Sequence, residues 1–119
     1  MNIEKLYLTF RENAIISSLA FLQGDTKTNK AATTKTANAF KKIEMVVEDM
    51  QQFYDMMLND ENVYVRLKAI TYCGNTNFNI PWALSEIEKI RSDSQLTDLD
   101  RLTIDYAIER WKKEMQKQG

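Results

Sequence analysis

The chain has 119 residues, 44% of them hydrophobic and 28% charged, values that are typical of one soluble globular domain. Sixteen basic and seventeen acidic residues leave a net charge of -1, which argues against a broad surface for nucleic acid or an anionic membrane. One cysteine and no histidine exclude an intramolecular disulfide, a zinc site built from Cys and His, and a histidine-based catalytic triad. We therefore expect one domain over residues 1–119, with no enzymatic activity, no cofactor or metal, and no small-molecule substrate.

The apolar runs of the sequence are too short for a membrane-spanning helix, which needs about 20 residues. The first ten residues, MNIEKLYLTF, also lack the basic start of a signal peptide. We therefore expect a cytoplasmic protein without a membrane partner.

Residues 3–22 predict a long first helix, because apolar side chains recur there at helical spacing. The residues of one stripe are Ile3, Leu6, Tyr7, Phe10, Ala14 and Phe21. The residues that widen this stripe are Leu8, Ile15, Ile16, Leu19 and Leu22. We therefore expect this helix to be buried on more than one side. Gly24 predicts its C-terminal end, and Asp25 or Thr26 can cap the helix that follows.

Residues 26–46 are polar and basic, with five lysines against one acid, Glu44. The lysines are Lys27, Lys30, Lys35, Lys41 and Lys42. Because Phe40 is the single aromatic residue among them, we expect a solvated helix face rather than a nucleic-acid surface.

An apolar stripe continues from Phe40 to Leu58, so residues 26–59 predict either one bent helix or two helices. We favour a break near Val47 and Glu48, because a helix of about 33 residues is unusual in a small domain.

Residues 60–73, DENVYVRLKAITYC, predict a well-patterned helix with Asn62 as its N-cap. Val65, Ala69 and Cys73 share one flank and are expected in the core, which predicts a buried, inert thiol. Gly74 and Asn75 predict the end of this helix.

The last third of the chain predicts two more helices. Pro81 begins one over residues 81–92, and Thr97 with Asp100 resembles a capping box at the start of the other. The final helix runs to about Lys117. The residues expected to face inward are Ala83, Ile87 and Ile90 on the first, and Leu102, Ile104, Ala107, Ile108, Trp111 and Met115 on the second.

The segment DENVYVRLKAI resembles the inner helix of a HEAT-type repeat, in which an acid is followed by Val-Arg and then Ala, here Asp60, Val65-Arg66 and Ala69. Arg66 is expected to pair with an acid such as Asp60 or Asp105 and so hold neighbouring helices together.

Over nearly its full length, the chain is similar to a bacterial family of small HEAT-like helical proteins, a domain of unknown function. The shared order of motifs is Gln23-Gly24-Asp25, Asn29-Lys30, the Val-Arg-Leu helix, Pro81 with Ala83, then Leu84, Ile87 and Ile90, and finally Trp111. The resemblance implies an all-α fold, a HEAT-like stack of five or six antiparallel helices forming a short right-handed superhelix.

Members of that family resemble immunity proteins that occur beside secreted polymorphic toxins of bacteria. The resemblance implies that the chain binds and neutralises a cognate toxin domain, possibly a nuclease, by steric occlusion. We expect exposed tyrosines flanked by charged residues to make the contact. The predicted partner-binding residues are Tyr54, Asp55, Glu61, Tyr64, Lys68, Tyr72 and Asp98.

Two acidic regions, residues 48–61 and 86–109, favour either a solvated face or a docking surface for a basic partner. The alternative to an immunity protein is a HEAT-like scaffold or adaptor module that binds another protein. A third interpretation, nucleic-acid binding through Lys27 to Lys42, predicts an affinity that falls steeply with salt.

Overall fold

The computed structural model describes residues 2–118, and this part of the chain contains six α-helices and no strand. The helices are α1 (Ile3–Gln23), α2 (Thr26–Val46), α3 (Met50–Leu58), α4 (Val63–Asn75), α5 (Ile80–Arg91) and α6 (Asp98–Gln118). The all-α class predicted from the sequence is confirmed. The right-handed superhelix stays a prediction.

The predicted helix ends between α1 and α2 are confirmed. Gly24 adopts a left-handed conformation with φ of 73°, which glycine reaches without the steric cost of a side chain. Asp25 then caps α2, because its Oδ1 accepts a hydrogen bond from the backbone N–H of Thr28 at 3.1 Å.

Residues 26–58 form two helices, as the favoured break near Val47 predicts. Val47 is extended, with φ of -91° and ψ of 124°. Asp49 Oδ1 then accepts a hydrogen bond from the backbone N–H of Gln51 at 3.0 Å, which satisfies a donor in the first turn of α3.

The chain divides into two compact units, one ending at Met56 and the other beginning at Met57. In the first unit α1 packs against α2. In the second unit α5 packs against both α4 and α6, and α4 also contacts α6. The single domain over residues 1–119 stays a prediction.

Aromatic rings form the core of the first unit. Phe53 of α3 is fully buried, and its ring centroid lies 5.3 Å from that of Phe10 and 5.9 Å from that of Phe40. Tyr54 and Tyr7 contact the same ring at 5.4 and 5.5 Å. Each such pair contributes about 0.5–1.5 kcal/mol beyond the area that it buries.

The prediction that α1 is buried on more than one side is wrong. Leu8 is 55% exposed and Leu19 is 44% exposed. The buried face instead carries the small residues Ala14, Ser17 and Ala20, which let α2 approach closely. Ser17 can be buried because its hydroxyl donates to the Ala14 carbonyl oxygen at 3.2 Å.

In the second unit, several predictions for α4 and α5 are confirmed. The side chain of Asn62 caps α4 by accepting a hydrogen bond from the N–H of Tyr64 at 2.9 Å. Cys73 is buried, and burial raises the pKa of its thiol to about 11. Pro81 lies in the first turn of α5. The predicted inward residues of α5, Ala83, Ile87 and Ile90, are all buried.

The acid that pairs with Arg66 is Asp93 rather than either of the expected acids, Asp60 and Asp105. One Arg66 nitrogen donates to Asp93 Oδ2 at 2.8 Å, and the other donates to the backbone carbonyl oxygen of Asp60 at 2.7 Å. Asp105 is 2.7 Å from Arg91 instead. The expected role is retained, because the pair joins α4 to the loop between α5 and α6.

The predicted end of α4 at Gly74 and Asn75 is confirmed, but two residues of α6 that were expected to face inward do not. The helix ends at Asn75, and Gly74 is buried where the Trp111 ring packs closely on its backbone. Leu102 and Met115 are 48% and 38% exposed rather than inward, because the buried stripe of α6 runs through Ile104, Ala107 and Trp111.

Candidate functional site

No group of three or more His, Cys, Asp or Glu side chains between residues 2 and 118 could hold a metal ion. None of the helices in the same range has both the length and the apolar character required to cross a membrane.

Tyr54 is not available as the exposed contact predicted from the sequence. Its side chain is 1% exposed, and its ring lies against Phe53 and Phe40 in the core of the first unit. The prediction failed because Tyr54 lies one turn before Met57 in the apolar stripe of α3, and that stripe faces the core. Tyr54 is therefore a core residue.

The predicted residues of α4 are half-buried. The Tyr64 hydroxyl donates to Asp100 Oδ2 at 2.9 Å, and burial, with this bond and the charge of Asp100, raises the pKa of Tyr64 to about 12. Burial also raises the pKa of Tyr72 and lowers the pKa of Lys68. Tyr64 therefore stabilises the second unit by joining α4 to α6, and its hydroxyl is already engaged.

The three predicted acids are exposed. Asp55, in the first unit, accepts a hydrogen bond from Gln51 Nε2 at 2.9 Å. Glu61 lies in the turn before α4, and Asp98 begins α6. Of the two predicted acids in the second unit, Glu61 and Asp98, Asp98 lies on a helix with large exposed apolar side chains.

Those apolar side chains form the clearest candidate for a binding surface. Leu99, Leu102 and Tyr106 lie on successive turns of α6 and are 44%, 48% and 59% exposed. Acidic residues flank them at helical spacing. The α6 face is defined here as Leu99, Leu102, Tyr106, Asp98, Asp105 and Glu109.

The acids of the α6 face make exposed ion pairs. Arg91 binds both carboxylate oxygens of Asp105, at 2.7 and 2.9 Å, and these hydrogen bonds hold the pKa of Asp105 below its usual range. Asp98 lies 3.6 Å from Arg101, and Glu109 lies 3.5 Å from Lys113. Because exposed pairs contribute little to stability, basic groups of a partner can replace these cations at small cost.

Local contacts fix the position of the α6 face. At its start, the capping box predicted from the sequence is present: the Asp100 N–H donates to Thr97 Oγ1 at 3.1 Å, and the Thr97 N–H donates to Asp100 Oδ2 at 2.9 Å. Arg101 also donates to the backbone carbonyl oxygens of Arg91 and Asp93, at 3.1 and 2.9 Å. Further along, the Trp111 indole N–H donates to Asn75 Oδ1 at 2.9 Å. The helix is therefore held to its neighbours along much of its length.

Leu99 and Tyr106 were not predicted as surface contacts from the sequence, and Leu102 was predicted to lie in the core. The signal was present, because these three residues are spaced i, i+3 and i+7, out of phase with Ile104, Ala107 and Trp111. Two apolar stripes on one helix predict either burial on both sides or one buried and one exposed stripe, and periodicity cannot choose between them.

Comparison with known proteins returned no match to a protein-family model, to a curated protein or to a solved structure.

Proposed function

We propose that this chain is an immunity-type protein that neutralises a cognate bacterial toxin domain by binding it through the α6 face. The observation that carries the proposal is the exposure of Leu99, Leu102 and Tyr106 on successive turns of one well-fixed helix, beside carboxylates. The toxin as partner comes from the resemblance to immunity proteins described above.

Apolar side chains that cluster on a surface gain free energy when a partner removes them from water, at about 25 cal/mol per Å². Tyrosine also supplies a large contact area with few side-chain torsions to immobilise. A central apolar stripe with charges at its edge is the usual arrangement of an interface between proteins.

The charge of the α6 face indicates the charge of the partner's surface. The three carboxylates of the α6 face, Asp98, Asp105 and Glu109, are exposed, and basic groups of a partner can replace the cations that pair with them, Arg101, Arg91 and Lys113. Such a surface favours a basic partner and accelerates its association. A nuclease domain fits this requirement, because an enzyme that binds a nucleic-acid backbone presents a basic surface.

The proposed mechanism is steric. An interface of standard size buries about 1,600 Å² in total, enough to cover the entrance of an active site. Inhibition then requires no catalytic group on this chain. The affinity comes from the apolar stripe, and the acids position the partner.

Co-expression tests the proposal. The toxic C-terminal domain of the secreted protein encoded next to this chain's gene is expressed in bacteria with and without this chain, and growth and co-purification are measured. We expect growth arrest by the toxin domain alone, and normal growth with a stable complex when both are made. Continued arrest without co-purification contradicts the proposal. A complex with a non-toxic neighbour instead favours the adaptor alternative.

A further inference from the structure

The first unit contains a pocket that plays no part in the proposed function. It has a volume of about 370 Å³ and lies between the first turns of α1 and the second half of α2. Four residues from each helix line it, with the same spacing of i, i+3, i+4 and i+7 on both. They are Asn2, the N-cap of α1, with Lys5, Leu6 and Thr9 on α1, and Lys35, Asn38, Ala39 and Lys42 on α2.

The pocket is strongly basic. Lys5, Lys35 and Lys42 line it, and no acidic residue does. Within the described part of the chain, none of the three ammonium groups is within ion-pair distance of a carboxylate. Three positive charges around one concavity repel one another, and an anion placed between them removes that repulsion.

Uncharged hydrogen-bond donors also line the pocket. Among residues 2–118 the amide group of Asn38 has no hydrogen-bond partner, so its N–H groups can donate to a ligand. Asn2 uses its Oδ1 to accept the Glu4 N–H at 3.0 Å, which leaves its Nδ2 as a donor. Thr9 differs, because its hydroxyl already donates to the Lys5 carbonyl oxygen at 2.9 Å. The pocket also lies at the positive end of the α1 dipole.

We infer that this pocket binds a compact phosphorylated small molecule with a di- or triphosphate group. Several ammonium and amide donors around one concavity are suited to an anion with several charged oxygens. Leu6, which is half-buried, adds apolar surface for the organic part of the ligand. The volume lies in the lower part of the range for small-molecule sites, about 300–1,000 Å³. A small-molecule substrate was not expected, because the sequence lacks catalytic groups. Binding of a small-molecule ligand requires no catalytic group.

The composition of the pocket favours a small anion over a nucleic-acid strand. No aromatic side chain lines the pocket, although stacking on such rings is a main source of affinity for single strands. The other lysines of α2, Lys27, Lys30 and Lys41, do not line the pocket, although they are exposed like Lys5, Lys35 and Lys42. The three pocket lysines therefore form a local cluster.

Titration of the ¹⁵N-labelled full chain tests the inference, with pyrophosphate, ATP and a short oligothymidine as separate probes at low salt. We expect pyrophosphate and ATP to shift the amide resonances of residues 2–9 and 35–42. Lys35→Gln and Lys42→Gln should each weaken binding by about fivefold or more, because each removes a charged donor. Lys30→Gln and Lys41→Gln are matched controls on the same helix and should stay within about twofold.

Three results would overturn the inference. The first is that neither pyrophosphate nor ATP shifts the amide resonances at 10 mM. This concentration is about ten times a Kd of 1 mM, so a site of that affinity would be largely occupied. The second is an equal loss of affinity in the pocket and control variants, which indicates a diffuse basic helix. The third is oligothymidine binding more tightly than ATP, which indicates a nucleic-acid surface. Far-UV circular dichroism of each variant verifies that the helices are intact.

Discussion

The indole ring of Trp111 lies against the backbone of Gly74, in the space that a side chain at residue 74 would occupy. Both residues are buried, and the indole N–H donates to Asn75 Oδ1 at 2.9 Å, one residue further along α4. The absence of a Cβ at residue 74 is what lets α6 approach α4 so closely. This contact also fixes the helix that carries the α6 face.

Gly74→Ala is expected to destabilise the protein by about 1 to 3 kcal/mol, because the new methyl group overlaps the Trp111 ring and forces the helices apart. Chemical denaturation measures the loss. Trp111→Leu in the Gly74→Ala background frees the space, so the double variant should lose less stability than the sum of the single variants. Strictly additive losses would show that the two residues do not share this contact.

Arg66→Met is expected to lower the free energy of unfolding by about 1 to 3 kcal/mol, since it leaves Asp93 and the Asp60 carbonyl oxygen without a charged donor. The side chains of Arg66 and Asp93 are only 21% and 22% exposed. Lys89→Met is the control, because that lysine is 70% exposed and pairs with Glu86 at 3.3 Å. It should change stability by less than about 0.5 kcal/mol. Equal losses in the free energy of unfolding would show that the pair of Arg66 and Asp93 contributes no more than an exposed ion pair does.

Tyr54→Ala and Tyr106→Ala make the same change in two environments. Tyr54 is 1% exposed within the aromatic core, so its loss should cost about 3 to 5 kcal/mol. Tyr106 is 59% exposed, so its loss should change stability by less than about 0.5 kcal/mol. Thermal or chemical denaturation compares them, and a stable Tyr54→Ala variant would argue against the aromatic core.

Tyr64 should make stability depend on pH in the alkaline range. Its folded pKa is about 12, above the ordinary value of 10.0, so the folded state holds the phenol proton more tightly than the unfolded state does. The resulting stabilisation is complete below pH 10 and is lost as the pH rises from 10 towards 12.

Comparison with Tyr64→Phe isolates this effect, because Cys73, Tyr7 and Tyr72, whose pKa values burial also raises, are present in both proteins. At pH 8 the variant should be less stable by about 1 kcal/mol, through loss of the bond to Asp100. The difference between the two proteins should shrink between pH 10 and 12. A difference that stays constant over that range would contradict the role given to Tyr64.

The sequence was sufficient for the features that depend on local interactions. Gly24, Asn62 and Thr97 mark helix ends through bonds to residues within a few positions along the chain. Features that depend on distant residues could not be predicted. The pairing of Arg66 with Asp93 and the packing of Trp111 on Gly74 join residues far apart in the sequence, and several acids were equally compatible with Arg66.

The candidate site was harder to predict than the fold, because exposure depends on which stripe of a helix finds a neighbour. Tyr54 and Leu102 both belong to apolar stripes, yet Tyr54 is in the core and Leu102 is 48% exposed. Helical spacing is the same in the two cases. Only the packing of the helices distinguishes them.

The affinity of the purified chain for its toxin domain, measured by calorimetry, tests the central claim most directly. Leu102→Asp places a charge in the middle of the α6 face, and Leu8→Asp makes the same change at a leucine of the first unit that is 55% exposed. We predict a Kd below about 1 μM for the unchanged chain, a loss of about a hundredfold for Leu102→Asp, and a change within about threefold for Leu8→Asp. Equal affinities of the two variants would contradict binding through the α6 face.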